Sequence, residues 1–194
     1  MLISHRRFIT PIFLHAGILH LALNLFAQLR FGIMLERKWG IVKFVILYFV
    51  SGIGGVLMSC LIEPKSLSVG ASGAIMGLMG RRERERSVLM NGGLGALLSE
   101  TILTWHKTDP NVRKIMLFQL IFAIVVTFMF SFWKYVDFGA HFGGCLVGMM
   151  IGALYFGFEY DKPTVRRILP IFSIALIFIY FIVGFVVFYV VIKV

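Results

Sequence analysis

Three short groups of polar residues interrupt an otherwise strongly apolar sequence. The first runs from His15 through His20 to Asn24, the second surrounds Ser72, and the third surrounds His141. A serine hydroxyl becomes a nucleophile when a neighbouring base takes its proton, and imidazole is a common base. Imidazole, side-chain amide and backbone N–H groups can stabilise an oxyanion. The residue types therefore permit nucleophilic catalysis, provided that the fold brings them together.

Each group also has a purely structural interpretation. His20 and Asn24 are four residues apart and share one helix face, so they would also serve to bridge neighbouring helices. Ser72 stands in the sequence Gly70-Ala71-Ser72-Gly73 at a loop-to-helix junction, and small residues often only pack helices together. A lone histidine at a helix start, such as His141, is commonly structural. Each group taken alone leaves both interpretations open.

The apolar stretches that carry these groups are long enough to cross a membrane. The chain has 194 residues, of which 59% are hydrophobic and 14% charged, whereas soluble domains average about 25% charged residues. A spanning helix takes roughly 20 residues, and helices are favoured because backbone polar groups cannot stay unpaired in lipid. We therefore predict an all-α, polytopic transmembrane helical bundle. Its spans would be residues 11–32, 41–62, 70–80 continued by 96–105, 115–133, 139–158 and 168–192.

The third polar group opens a stripe of small residues at four-residue spacing, formed by Gly144, Gly148 and Gly152. Such a stripe lets helix backbones touch. Gly73 and Gly77 offer a matching stripe in the second group. We therefore expect the helices that carry the second and third groups to pack against each other.

The net charge of +10 does not predict nucleic-acid binding, because most lysines and arginines lie in short loops between the predicted spans, where they set membrane orientation. One side holds five basic residues: Arg6, Arg7, Lys65, Lys134 and Lys193. The other holds nine: Arg37, Lys38, Lys43, Lys107, Arg113, Lys114, Lys162, Arg166 and Arg167. The second side is therefore predicted to be cytosolic. His20, Ser72 and His141 then lie in spans entered from the non-cytosolic side, with His20 roughly 13 Å deep, and they can meet in one pocket open to that face.

These groups and their neighbours together resemble the rhomboid family of intramembrane serine proteases. The resemblance extends from Arg7 to about Phe158. It comprises His15-x4-His20-x3-Asn24, Glu36-x-x-Trp39-Gly40, Tyr48 and Gly52, Gly70-Ala71-Ser72-Gly73-Ala74, and Val136-Asp137 followed by Ala140-His141-x-Gly143-Gly144.

The resemblance implies a role for each candidate residue. Ser72 would be the nucleophile and His141 its general base, while His20, Asn24 and the Ser72 backbone N–H would form the oxyanion hole. His15, roughly 140° round the same helix from His20, would have a structural role. A supporting role also falls to Gly70 and Gly73. No metal or other cofactor is implied, and the substrates would be single-pass transmembrane proteins cut within or beside the lipid bilayer.

Departures from the family pattern shape the predicted domains. The family has a further helix before the His-rich one, so residues 1–160 would be a rhomboid core that lacks its first helix. Residues 81–95 begin with four arginines and two glutamates in six positions, and each charge at mid-membrane costs about 2.5–3.5 kcal/mol. We interpret them as an insertion in the helix that starts at Ser72. Residues 161–194 would form an additional C-terminal transmembrane helix, which resembles that of eukaryotic members.

Two other functions fit parts of the sequence. A rhomboid-like pseudoprotease would bind membrane proteins without cutting them, but such proteins typically lack the serine or the histidine, and both are present here. A transporter or channel would line a pathway with His20 and Asn24, and it would show solute flux without serine reactivity. The intramembrane serine endopeptidase is the leading hypothesis.

Overall fold

The secondary structure is helical. The structure, a computed structural model, describes residues 8–15, 17–64, 72, 74, 94–131 and 137–192. Within them there is no strand, and the predicted all-α class is confirmed. The α-helices are α1 (Ile18–Trp39), α2 (Ile41–Ile62), α3 (Leu94–Thr104), α4 (Pro110–Ser131), α5 (Phe138–Phe158) and α6 (Pro163–Val186). Two 3-10 turns, Thr10–Phe13 and Trp105–Lys107, precede α1 and follow α3, and α6 continues as a π-helix over Val187–Ile192.

Among the described residues, three helices are long and apolar enough to cross a membrane: Ile41–Ile62, Phe138–Phe158 and Pro163–Ile192. The first has the bounds predicted from the sequence, and the predicted spans at 139–158 and 168–192 lie inside the other two. The predicted span at 115–133 falls largely on α4, which begins earlier, at Pro110. The chain is therefore an integral membrane protein with apolar helices of spanning length.

The first predicted span, residues 11–32, is wrong at both ends. Gly17 adopts a φ of 130°, so the chain turns after Thr10–Phe13 and α1 begins only at Ile18. α1 then runs on to Trp39 and stops where Gly40 adopts a φ of 81°. Left-handed φ values of this kind favour glycine. His20 consequently lies in the first turn of α1, and the predicted depth of roughly 13 Å along a helix does not apply.

The centre of the bundle is α5, which packs against α2, α3 and α6. Glycines permit the close approach of α2: a Cβ atom added at Gly55 would lie 2.5 Å from the carbonyl oxygen of Ala140, and one at Gly54 would lie 2.5 Å from Val147. Small residues at such positions let helix backbones touch and gain dispersion contacts. The contact fixes the first turns of α5 against the second half of α2.

On another face of α5, Gly148 of the predicted glycine stripe packs against α3. A Cβ atom added at Gly95 would lie 2.7 Å from the backbone nitrogen of Met149 and 3.0 Å from the carbonyl carbon of Gly148. The hydroxyl of Ser99, one turn further along α3, donates a hydrogen bond of 2.6 Å to the Met149 carbonyl oxygen. The predicted partners of this stripe, Gly73 and Gly77, lie outside the described residues, as does the predicted insertion up to residue 93.

The last helix, α6, lies along the outside of α2 and α5. Its Tyr180 hydroxyl donates a hydrogen bond of 2.7 Å to the Gly54 carbonyl oxygen, and Gly184 lies against Leu57. The opposite face is apolar and exposed, with Phe172, Phe178 and Ile182 each more than half exposed. That pattern suits a helix with one face on protein and the other on lipid.

Candidate active site

The polar side of α1 faces the interior of the bundle. Asn24 is only 6% exposed, and its Nδ2 donates a hydrogen bond of 2.8 Å to the carbonyl oxygen of His20, one turn earlier. A side-chain amide has two N–H donors, so this bond leaves one of them for another acceptor. Its Oδ1 is buried and has no hydrogen-bond partner among the residues that the structure describes. α1 therefore presents an amide that is held by its own backbone and aimed into the protein.

His15 contacts His20 directly. Their ring centroids are 5.4 Å apart at an interplanar angle of 63°, and the Nδ1 of His15 lies 3.2 Å from the Phe13 carbonyl oxygen. The predicted angle of roughly 140° between the two residues on one helix is wrong, because His15 precedes the start of α1. The ring contact places His15 beside a candidate oxyanion donor, and its supporting role remains a prediction.

His141 lies in the first turn of α5 and is 8% exposed. Its backbone N–H donates a hydrogen bond of 3.1 Å to the carbonyl oxygen of Asp137, the residue that caps this helix. The imidazole lies within electrostatic range of the side chains of His20 and Asp137. Two of the sequence-predicted residues, from helices far apart in sequence, are thus brought together at the starts of α1 and α5.

Ser72 is helical and half-buried, and its neighbour Ala74 shows where this helix lies. Ala74 is 1% exposed and packs against α2, where a Cβ atom added at Gly52 would lie 3.1 Å from the Ala74 Cβ. Gly55, three residues further along α2, contacts Ala140, the residue before His141. Residues three apart share a helix face. Ala74, next but one to Ser72, and Ala140, next to His141, therefore meet the same face of α2, one turn apart.

The remaining residues considered from the sequence are two glycines, possible metal ligands and two cysteines. Gly70 and Gly73, predicted to support Ser72, lie outside the described residues. Within the described part of the chain, no group of three or more His, Cys, Asp or Glu could hold a metal ion. Neither Cys60 nor Cys145 forms a disulfide bond within the part of the chain that the structure describes.

Sequence reasoning missed one contact beside the site. The carboxylate of Asp137 accepts a hydrogen bond of 2.5 Å from the hydroxyl of Ser59 on α2 and another of 2.9 Å from the backbone N–H of Ala140. An aspartate that precedes a helix and accepts a hydrogen bond from the backbone N–H three residues later is a recognisable N-cap. The bond from Ala140 to Asp137 could therefore have been predicted from the sequence. The bond from Ser59 joins residues 78 positions apart, and no local pattern indicates it.

Comparison with known proteins gives matches over most of the chain. A family model described as "Rhomboid domain" matches residues 4–81 and 86–158. The chain is 38% identical over 146 residues to "RHOMBOID-like protein 6, mitochondrial" of Arabidopsis thaliana, covering 75% of this chain and 42% of that protein. It is 35% identical over 163 residues to "Rhomboid-like protease 3" of Toxoplasma gondii, covering 84% and 56%. The chain thus spans about half the length of the curated relatives it matches.

Proposed function

The chain belongs to the rhomboid family, and from this premise we propose that it is an intramembrane serine endopeptidase that cuts single-pass transmembrane proteins in or near their spans. The observation that carries the proposal is the convergence of two helices on α2. Ala74, next but one to Ser72, packs at Gly52, and Ala140, next to His141, packs at Gly55. This arrangement supports a Ser–His dyad. Relatives named rhomboid-like proteases in Toxoplasma gondii support protease activity in general.

In the proposed reaction, His141 takes the proton of the Ser72 hydroxyl as the serine oxygen attacks the scissile carbonyl carbon. The resulting tetrahedral oxyanion accepts hydrogen bonds from the free N–H of Asn24, from His20 and from the Ser72 backbone N–H. The peptide C–N bond then breaks, and His141 passes its proton to the leaving amine. A water molecule, deprotonated by His141, hydrolyses the acyl-enzyme and restores Ser72. A dyad suffices where the surrounding bundle holds the imidazole in place.

We further propose that the chain crosses the membrane several times, with the site toward the non-cytosolic face. His20 and His141, each in the first turn of its helix, lie within electrostatic range of each other, so α1 and α5 begin at the same end of the bundle. At the other end, Trp39 of α1 packs against Phe156 of α5 at 5.4 Å between ring centroids. Arg37 lies beside Trp39, and Lys162 follows α5 closely. Basic residues at that end favour a cytosolic location for it.

The test uses a fluorophosphonate probe and a single-pass reporter substrate, with the protein expressed in its full native length in membranes. We expect the wild type to be labelled and to cut the reporter. Ser72→Ala should abolish both, and His141→Ala should lower both by at least about 10³-fold, because an unactivated hydroxyl is a weak nucleophile. Ser51→Ala, at a buried serine on α2, is the matched control and should keep full activity.

Membrane insertion of every variant is checked by fractionation. Unchanged cleavage in Ser72→Ala or His141→Ala would overturn the proposal. A wild type that binds single-pass proteins but is neither labelled nor able to cut them would indicate a pseudoprotease. Solute flux that survives Ser72→Ala would favour a transporter or channel.

A further inference from the structure

The start of α5 is held by a single carboxylate. Asp137 directly precedes the helix, and its two oxygens have different partners: Oδ1 accepts from the Ala140 backbone N–H at 2.9 Å, and Oδ2 accepts from the Ser59 hydroxyl at 2.5 Å. Ser59 is 2% exposed and lies on α2. A carboxylate that accepts a bond this short makes a strong, charge-assisted contact. The side chain therefore joins the first turn of α5 to α2.

The packing around this contact allows little movement. A Cβ atom added at Gly139 would lie 2.7 Å from the Cα of Ser59, so the backbones of α5 and α2 already touch. They also touch one turn away, where Gly55 faces the Ala140 carbonyl oxygen. Backbone contact prevents α5 from moving toward α2, and the bond between Asp137 and Ser59 opposes movement away from it. The first turn of α5 is thus held from both directions.

His141 lies in that first turn, and its backbone N–H donates a hydrogen bond of 3.1 Å to the Asp137 carbonyl oxygen. We propose that Asp137, through its bond to Ser59, is a positioning residue that fixes the place of His141 relative to α2. The inference rests on the proposed function, in which His141 is the general base. Since the helix of Ser72 packs on the same face of α2, the contact sets the distance between base and nucleophile. A displacement of about 1 Å in such a pair costs on the order of 10²-fold in rate.

The experiment compares Asp137→Ala, Asp137→Asn and Ser59→Ala with the control Ser99→Ala, in the full-length protein. Ser99 also donates a hydrogen bond to α5, at Met149, but far from His141 along the helix. For each variant we measure kcat and KM on the reporter, thermal stability, and the 15N resonances of the His141 imidazole.

We expect Asp137→Ala and Ser59→Ala to lower kcat by about 10- to 100-fold and to change KM by less than about threefold. Asp137→Asn should recover most of kcat, because its amide oxygen still accepts from Ala140 and its amino group can donate to Ser59. Ser99→Ala should lower thermal stability by a similar amount to Ser59→Ala without lowering kcat. The His141 resonances should shift in Ser59→Ala and stay in place in Ser99→Ala.

Equal losses of kcat in Ser59→Ala and Ser99→Ala at matched stability would overturn the inference, as would His141 resonances that do not shift in Ser59→Ala. If Asp137→Ala does not fold, Ser59→Ala and Asp137→Asn still test whether Asp137 positions His141. A wild type without labelling or cleavage refutes the proposed function instead, and the resonances then show whether Asp137 positions His141.

Discussion

Asn24 illustrates the hydrogen-bonding cost of burying a polar side chain inside this bundle. A buried amide with an unpaired oxygen is costly, by roughly 1–3 kcal/mol, and Asn24 keeps its Oδ1 buried without a partner among the described residues. Its Nδ2 is tied to the helix backbone at His20. Leucine at this position would avoid the cost. The proposed role of the second N–H of Asn24 as an oxyanion donor would give this buried amide a function, and that role is a prediction.

The oxyanion assignment gives a prediction at the residue scale. Asn24→Ala and His20→Ala should each lower reporter cleavage by about 10- to 10³-fold, because each removes one donor to the tetrahedral intermediate. Fluorophosphonate labelling of Ser72 should persist at a reduced rate, since the nucleophile and base remain. Cleavage rates and labelling rates at equal expression provide the measurement.

His15→Ala is the matched control for these two variants. It removes the ring contact with His20 but no predicted donor, so it should lower thermal stability more than kcat. If His15→Ala reduced kcat at unchanged stability while Asn24→Ala had no effect, the two roles would have to be exchanged.

Residue-level prediction from sequence succeeded where chemistry and spacing coincide. His20 and Asn24, four apart, do lie one turn apart on a helix with Asn24 buried. His15 could not be placed, because hydropathy gives no sign that Gly17 would break the helix. The bond of Ser59 to Asp137 depends on how two distant helices dock, which periodicity does not encode.

Among the elements, α2 and α1 differ in how well their ends could be predicted. Ile41–Ile62 is bounded by Gly40 and by Pro64, which cannot continue a helix, so its limits followed from the sequence. The predicted first span ended at Gly32, but α1 continues through this glycine to Trp39. Its charged last turn was assigned to a loop, although such residues form helices readily. Hydropathy therefore ended the helix too early.

The contact of α6 gives a prediction at the scale of elements. Tyr180→Phe removes the hydrogen bond to the Gly54 carbonyl oxygen, which should destabilise the protein by about 1 kcal/mol. We expect a lower midpoint of thermal unfolding in detergent and a kcat within about twofold of the wild type, because α6 contacts the outside of α2 and α5. Phe178→Ala, on the exposed face of α6, should leave the midpoint unchanged. A kcat loss in Tyr180→Phe beyond about tenfold would show that α6 takes part in positioning the site.

At the scale of the whole molecule, the bundle depends on glycine contacts along both sides of α5. α2 approaches one side through Gly54 and Gly55, and α3 approaches the other through Gly95. Each contact brings the helices together at a position where a side chain would not fit, so the packing of the core depends on glycine at these positions. The sequence predicted a stripe of small residues on α5, and the structure shows that its Gly148 faces Gly95 of α3 while its Gly144 faces Gly55 of α2.

The position of Gly95 sharpens the interpretation of residues 81–95 as an insertion. A glycine lies at each end of the segment: Gly80 directly precedes it, and Gly95 is its last residue. Deleting residues 81–95 therefore yields the same chain as deleting residues 80–94. In either description a glycine comes directly before Ala96 and can take the place that Gly95 occupies against Met149 and Gly148. The match to the rhomboid family model is interrupted at residues 82–85, inside this segment.

The insertion gives the last prediction, on stability and activity together. Deleting residues 81–95 in the full-length protein should raise the midpoint of thermal unfolding and the rate of Ser72 labelling. The reason is that the sequence after Ser72 could then form one spanning helix without six charged residues halfway along it, where each charge would cost about 2.5–3.5 kcal/mol. Glycine substitutions supply the matched controls. Gly95→Val should destabilise the complete chain, because Gly95 faces the backbone of α5. Gly80→Val should destabilise the deletion variant, in which Gly80 takes the place of Gly95. Transcript sequencing gives an independent check, with a dominant message that joins the codons of Gly80 and Ala96. A dominant message that keeps the segment, together with a deletion variant that loses labelling, would show instead that residues 81–95 are a working part of the protein.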